Sequence, residues 1–132
     1  MFTLLWSLIF LLCLSSVPAN AKWVVSSSSK MLGTAYADPD TIQRKGNLVK
    51  MWRLFDLKTE DTQRGIPFLS SKGLDEYDCT EERSRIIATF QYSGQMGSGQ
   101  IVSSDTGPGN WASVMPGSVD QGLWKVACGK KK

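Results

Sequence analysis

The chain's candidates for acid–base chemistry are carboxylates, because its 132 residues include no histidine. The commonest general base, nucleophile activator and zinc ligand is therefore missing. Two arginines, Arg83 and Arg85, directly follow the main acidic cluster, which favours cross-strand ion pairs at a sheet surface. We predict no catalytic residues here, and a carboxyl pair with raised pKa in a concave pocket would argue for the opposite. The cluster comprises Asp75, Glu76, Asp78, Glu81 and Glu82.

Cofactor motifs are equally weak. The segment Gly94–Gly99 is rich in glycine, but it lacks the Lys-Ser/Thr pair of a phosphate-binding loop and joins two predicted strands, so we predict a hairpin loop. Haem would need an axial ligand, and without histidine only methionine or tyrosine could serve once the cysteines pair. The sequence therefore predicts no cofactor and no metal site.

The basic and aromatic residues are candidates for binding a partner. The net charge is +3, and lysines and arginines alternate with acids, so we predict no nucleic-acid binding. One basic run ends the chain: Lys130, Lys131 and Lys132. A core role is expected for Trp23, Trp52 and Trp124. Trp111 lies in a segment rich in glycine and proline, where it either covers the core or contacts a partner, so Trp111 and the three lysines are the candidate contact residues.

The N-terminus predicts export. Phe2 to Val17 is apolar and uncharged, and Ala19-Asn20-Ala21 is a small-x-small cleavage site, so residues 1–21 are a predicted signal peptide cleaved between Ala21 and Lys22. Residues 22–132 would then form one domain outside the cytoplasm. The alternative is an uncleaved membrane anchor, since the positive charge before the apolar run comes only from the amino group of Met1. Leu11-Leu12 precede Cys13 where a lipidation signal needs a small residue, so lipidation is not predicted.

Removal of the leader leaves two cysteines, Cys79 and Cys128. An oxidising compartment favours their pairing, and two cysteines allow one connectivity. The bridge would close a loop of about 50 residues and contribute about 4 kcal/mol on the chain-entropy argument. A catalytic or metal-binding thiol pair is the alternative, but the sequence has neither a CxxC spacing nor a histidine partner.

Hydrophobic periodicity predicts an antiparallel sheet. A one-turn helix is expected at Asp38–Thr41 and an exposed loop at Lys58–Pro67. In the strand over Ser84–Ser93, alternation places Ile86, Ala88, Phe90 and Tyr92 on one side. The predicted strands begin at Trp23 and cover Met31–Ala37, Leu48–Leu57, about Phe68–Cys79, Ser84–Ser93 and Gln100–Ser104.

The chain is predicted to end in a helix over Val119–Cys128. Ser118 and Gln121 form a capping box, and an apolar stripe faces the sheet. Cys128 in the last turn would join this helix to Cys79 at a strand end. The predicted fold is α+β, a single antiparallel sheet of about five to six strands packed by the C-terminal helix. The stripe consists of Val119, Leu123, Val126 and Ala127.

Residues 22–132 resemble the surface-adhesin protein E family of small exported bacterial proteins. The resemblance implies an antiparallel sheet, a C-terminal helix linked to it by a disulfide, and an adhesin-like binding role without catalysis. Family members named for adhesion engage host matrix or plasma proteins. The residues that carry the resemblance are Trp23-Val24-Val25, Tyr36-Ala37-Asp38-Pro39 with Ile42, Gly46 through Trp52 to Asp56, Tyr77-Asp78-Cys79, Glu82-Arg83-Ser84-Arg85, Met96-Gly97-Ser98-Gly99, Pro116-Gly117-Ser118 and Trp124-Lys125-Val126-Ala127-Cys128.

These observations predict a non-catalytic, exported envelope protein, periplasmic or secreted and possibly surface-associated, that binds an unknown host matrix or envelope protein. Two alternatives from other classes stay open. One is a periplasmic carrier whose sheet and helix enclose a small apolar ligand. The other is a small envelope hydrolase that uses acids near Asp78.

Overall fold

The computed structural model of the protein describes residues 22–129. The predicted signal peptide, including Cys13 and Ala21, and the three terminal lysines lie outside the described residues. Within the described range, no helix is long and apolar enough to cross a bilayer.

Seven antiparallel strands, one α-helix and a short 3₁₀ helix at Gln95–Gly97 make up the described fold. Strands β1 to β6 follow one another as a meander, and the two-residue β7 pairs with the start of β5. The predicted antiparallel sheet with a C-terminal helix is confirmed. The elements are β1 (Val24–Ser29), β2 (Gly33–Lys45), β3 (Leu48–Gln63), β4 (Ile66–Asp78), β5 (Arg83–Tyr92), β6 (Ile101–Thr106), β7 (Ala112–Ser113) and α1 (Val119–Cys128).

Helix α1 covers one face of the sheet, which we call the helix face, and the core lies between them. Leu123 and Ala127 are almost fully buried against the sheet, as the apolar stripe predicts. Val119 is an exception, because it lies in the first turn and is 45% exposed. Trp124 is buried instead, and its indole N–H donates to the backbone oxygen of Asp78 at 2.9 Å. The core cluster consists of Ala37, Val49, Met51, Tyr77, Leu123, Trp124 and Ala127.

The start and end of α1 follow the predicted signals. Ser118 Oγ accepts a hydrogen bond from the Gln121 backbone N–H at 3.0 Å, and Gln121 Oε1 accepts one from the Gly117 N–H at 2.8 Å. Gly129 ends the helix with a φ of 74°, a conformation that glycine adopts without steric cost.

The predicted disulfide is confirmed. Cys79 follows β4 and Cys128 is the last residue of α1, and their Cα atoms are 5.6 Å apart. The bridge therefore holds the end of the helix against the sheet.

The one-turn helix predicted at Asp38–Thr41 is wrong, because this segment belongs to β2. The pairing of β2 with β3 shifts register between Asp38 and Gln43. Asp38 Oδ1 accepts from the Asp40 N–H at 3.2 Å, and Thr41 Oγ1 donates to the Asp38 backbone oxygen at 2.7 Å. The turn-forming residues thus satisfy the backbone of a bulged strand rather than cap a helix.

The exposed loop predicted at Lys58–Pro67 is also wrong. Strands β3 and β4 extend through it as an exposed ribbon, joined by the two-residue turn Arg64-Gly65. Both turn residues have positive φ, 51° and 78°, which matches the right-handed twist of a tight hairpin. Charge in this segment reflects solvent exposure on both faces and not the absence of a strand.

Candidate functional site: the outer face of the sheet

The face opposite α1, which we call the outer face, carries a groove of about 430 Å³ lined mainly by aromatic side chains. The rings of Trp52 and Phe90 stack with centroids 6.3 Å apart and planes inclined by 25°. Lys72 Nζ lies 5.4 Å from the centre of the Tyr92 ring. Trp23 and Ile101 complete the apolar lining. The rings are half-buried, and those of Trp52 and Phe90 pack against each other.

A bulge in β5 decides which residues reach the outer face. Pairing between β4 and β5 shifts register, so that Asp75 faces Ile86 while Leu74 faces Ala88. The predicted alternation is therefore wrong at Ile86, which lines a cavity on the helix face, whereas Phe90 and Tyr92 line the outer groove. One extra residue in a strand changes the face of the sheet on which each preceding side chain lies.

Trp111 lies at the other end of β5, beyond the apolar core. Its ring is stacked against two guanidinium groups, with the Cζ atoms of Arg83 and Arg85 each 4.6 Å from the ring centre. The neighbouring Ala112 pairs with Ser84 in the β7 ladder, which positions the indole beside the arginines. Trp111 is thus half-buried by the arginines rather than by the hydrophobic core.

Each of these arginines also pairs with an acid of β4. Arg83 Nε lies 3.1 Å from Asp78 Oδ2, and Arg85 Nη2 lies 2.7 Å from Glu76 Oε1. The arginine side chains are 41% and 28% exposed, whereas the paired carboxylates are only 9% and 8% exposed. Because the positive groups face solvent more than the negative ones, this end of the outer face presents positive charge.

Asp78, the acid around which the hydrolase alternative is built, is used in local structure. Asp78 Oδ1 accepts from the backbone N–H groups of Thr80 and Glu81, each at 3.1 Å. The bond from Glu81 is the main interaction that holds the pKa of Asp78 below its usual range, with smaller contributions from Arg83 and Thr80. Glu81 and Glu82 are exposed. For Glu76 and Asp78 these contacts match the ion-pair interpretation of the acidic segment.

Asp75 differs from these two acids. It pairs with Arg53, but burial raises its pKa, and Asp120 lines the same cavity on the helix face. This is the arrangement that would argue for a catalytic site.

Metal-ligating residues do not gather in groups of three or more anywhere between residues 22 and 129. The predicted contact residue Trp111 lies in the structure beside Arg83 and Arg85, whereas its predicted companions Lys130, Lys131 and Lys132 lie outside the described residues.

The sequence reasoning missed four contributors to the outer face: Arg83, Arg85, Phe90 and Tyr92. A usable signal was present, because Phe90 and Tyr92 are two residues apart and so share a face, as do Arg83 and Arg85. Because a bulge lies between the two pairs, simple alternation along the strand does not show that all four side chains lie on the same face. The bulge places both pairs on the outer face despite their odd separation along the chain.

The model of the family described as Surface-adhesin protein E matches residues 23–129. No curated protein matches the chain. Among solved structures, similar ones include three of protein E from Haemophilus influenzae. Crystal form II has a TM-score of 0.57 at 14% identity, with 71% of this chain and 79% of that chain covered. The selenomethionine form has a TM-score of 0.59 at 12% identity, with 80% and 84% covered.

The third structure, protein E from a non-typeable strain of the same species, has a TM-score of 0.57 at 13% identity, with 80% of this chain and 74% of that chain covered. At this level of identity the structures share the fold. The family match spans the whole described domain except its first residue, so this chain belongs to the surface-adhesin protein E family.

Proposed function

We propose that this protein is a non-catalytic, exported adhesin-like module that binds a protein partner through the outer face of its sheet. The observation that carries the proposal is the pairing, on one face, of the Trp111–Arg83–Arg85 stack with the aromatic groove around Trp52 and Phe90.

The composition of this face supports protein binding. Tryptophan, tyrosine and arginine are the residue types that most often dominate binding energy at protein interfaces. Trp111 and Arg85 are already held in place by their mutual stacking and by Glu76. Ordering them on binding therefore costs little side-chain entropy. The partner surface that fits is acidic at the Trp111 end and apolar at the groove.

Export is supported by the disulfide and by the family. Disulfides persist in oxidising compartments, and Cys79–Cys128 joins elements that are far apart in sequence. The family description names a surface adhesin. The proposed location is the periplasm or the outside of the cell, with association to the cell surface, and the proposed partner is a host matrix or envelope protein.

A pull-down tests the proposal. The full chain, expressed for export and recovered oxidised, is immobilised and exposed to a panel of matrix proteins and to envelope extracts. We expect saturable capture of a defined protein, with affinity reduced by about tenfold or more in Trp111→Ala, since truncating an interface tryptophan costs about 2 kcal/mol or more.

Met31→Ala is the matched control, because Met31 is a large apolar residue that is even more exposed but lies in the β1–β2 turn. Its affinity should stay that of the wild type. Capture of nothing above background, or equal losses in both variants, contradicts binding through the outer face.

A further inference from the structure

A cavity of about 350 Å³ on the helix face contains charged groups that the adhesin role does not use. It lies beside the first turn of α1 and under the segment that leads into β7. Its charged lining comes from four separate elements: Arg53 of β3, Asp75 of β4, Arg85 of β5 and Asp120 of α1.

Arg53 is the buried cation of the cavity, with a side chain only 4% exposed. Its Nε donates to Asp75 Oδ2 at 2.8 Å, and its guanidinium lies over the Phe55 ring at 4.3 Å. A Cβ at Gly73 would lie 2.5 Å from Arg53 Cζ, so the glycine makes room for this position. Among the described residues, Nη1 finds no hydrogen-bond partner although it is buried.

Asp75 is the buried acid, with a side chain 7% exposed. Its Oδ2 also lies 3.3 Å from the Tyr77 hydroxyl, while Oδ1 has no hydrogen-bond partner within residues 22–129. Burial raises the pKa of this carboxyl, and the nearby Asp120 carboxylate adds to the effect although Arg53 opposes it. Asp75 Oδ1 is therefore available to a hydrogen-bond donor that enters the cavity.

Asp120 adds a second carboxylate from the first turn of α1. Its Oδ2 accepts from Ser84 Oγ at 2.6 Å, which fixes its orientation beside β5. The cavity is thus lined by two carboxylates and two guanidinium groups, of which that of Arg85 is already paired with Glu76. One donor, Arg53 Nη1, and one acceptor, Asp75 Oδ1, are left unsatisfied. Leaving buried polar groups unsatisfied is unfavourable, so a ligand that pairs with both would be favoured.

The remaining wall is apolar. Phe55, Ile86 and Ala112 line the same cavity. A ligand that suits the whole lining has an anionic acceptor for Arg53, a cationic donor for the two aspartates and an apolar group for these side chains.

We propose that this cavity binds a free α-amino acid with an apolar side chain. Its carboxylate pairs with Arg53, its ammonium group lies between Asp75 and Asp120, and its side chain packs on Phe55 and Ile86. A guanidinium matches a carboxylate in geometry as well as in charge, and a carboxylate pair matches an ammonium group.

An NMR titration tests the site. The isotope-labelled full chain, expressed for export and recovered oxidised, is titrated with L-leucine and L-phenylalanine. Two matched compounds, 3-methylbutylamine and 4-methylpentanoate, each lack one of the two charged groups. We expect saturable shifts for the amino acids at residues lining the cavity, and binding weaker by about tenfold or more for each compound that lacks a charge.

Variants locate the binding. Ala112→Phe fills the cavity from an exposed strand, and Ser113→Phe places the same ring on the neighbouring exposed residue, which does not line it. Asp120→Asn removes one carboxylate and keeps an oxygen for Ser84. We expect about tenfold or greater weakening in Ala112→Phe and Asp120→Asn, wild-type binding in Ser113→Phe, and folded spectra for all three.

The inference is overturned if no amino acid gives saturable shifts, which would mean that water alone satisfies Arg53 and Asp75. It is overturned equally if the amine or the carboxylate alone binds as well as the amino acid, or if Ala112→Phe leaves the affinity unchanged. None of these results depends on whether the outer face binds a protein.

Discussion

The two faces of the sheet are both rich in aromatic and charged residues, yet they differ in how far their side chains are buried. On the helix face, Tyr77 is covered by α1, whose Trp124 packs into the same core, and the disulfide ties the end of that helix to the sheet. On the outer face, Trp52, Phe90 and Trp111 stay half exposed, and the short turn Gln95–Gly97 lies against a neighbouring part of the sheet, where its backbone N–H groups donate to Asp56 and Ser70.

This difference in burial assigns stability to the helix face and recognition to the outer face. Burial of apolar side chains under α1 supplies the hydrophobic free energy that a domain of this size needs. Aromatic residues that remain half exposed contribute less to folding, and on the outer face Trp111 lies next to two partly exposed arginines. Substitutions on the helix face should therefore lower mainly the free energy of unfolding, whereas substitutions on the outer face should weaken mainly partner binding.

The largest expected effect on stability is loss of the disulfide. Replacing Cys79 and Cys128 together by alanine should lower the free energy of unfolding by about 4 kcal/mol, because the unfolded chain regains the entropy that the loop of about 50 residues restricts. Urea unfolding of the oxidised wild type and the double variant measures the difference. Equal unfolding midpoints would mean that the disulfide does not stabilise the packing of α1 on the sheet.

Next comes truncation within the core. Leu123→Ala should cost about 3 kcal/mol, since Leu123 is 1% exposed and the neighbouring core cannot collapse fully into the space. Val119→Ala, one turn earlier on the same helix, is the matched control and should cost less than about 1 kcal/mol because Val119 is largely exposed. Thermal unfolding that ranks the two variants in reverse would contradict the packing described for α1.

A smaller effect depends on pH. The pKa of Asp78 is lower in the folded protein than in the unfolded chain, so its ionised form adds stability at neutral pH. This contribution should be lost as the pH falls below about 4, the unfolded value for aspartate, and on through the folded pKa. Asp78→Asn lacks it, so the stability difference between wild type and variant should shrink with acid in chemical unfolding. A stability difference between wild type and variant that grows as the pH falls would contradict a stabilising role of ionised Asp78.

For Trp111→Ala, a smaller effect on stability is expected than for Leu123→Ala. Its ring stacks on two partly exposed arginines, and contacts of this kind are worth about 0.5–1 kcal/mol each at exposed sites. Unfolding should therefore change by no more than about 2 kcal/mol, while partner binding should fall most. A loss of stability larger than that of Leu123→Ala would make Trp111 a core residue and remove the distinction between the faces.

Sequence patterns predicted the features that depend on local chemistry. The cap at Ser118, the helix over Val119–Cys128 and the hairpin loop at Gly94–Gly99 each follow from residues next to one another in the chain, and all three are present. The disulfide followed from counting cysteines. Propensity and capping act over a few residues, so a single sequence is enough to read them.

Features set by pairing between strands were not predictable. The shifts at Asp38 and at Ile86 arise from register against β3 and β4, which no local pattern specifies. The polar cavity was missed because Arg53, Asp75 and Asp120 meet only after three elements pack. One signal was available: Arg53 continues the alternation of Val49 and Met51, which places a charged residue on a buried face.

Hydroxyl-radical footprinting of the free and partner-bound protein tests most directly whether the outer face is the binding face. We predict that bound partner lowers the reactivity of Trp111, Trp52 and Tyr92, while Met115 and Val119, exposed beside the helix, react as in the free protein. Protection of Met115 and Val119 with unchanged reactivity of the three aromatic residues would contradict the assignment of recognition to the outer face.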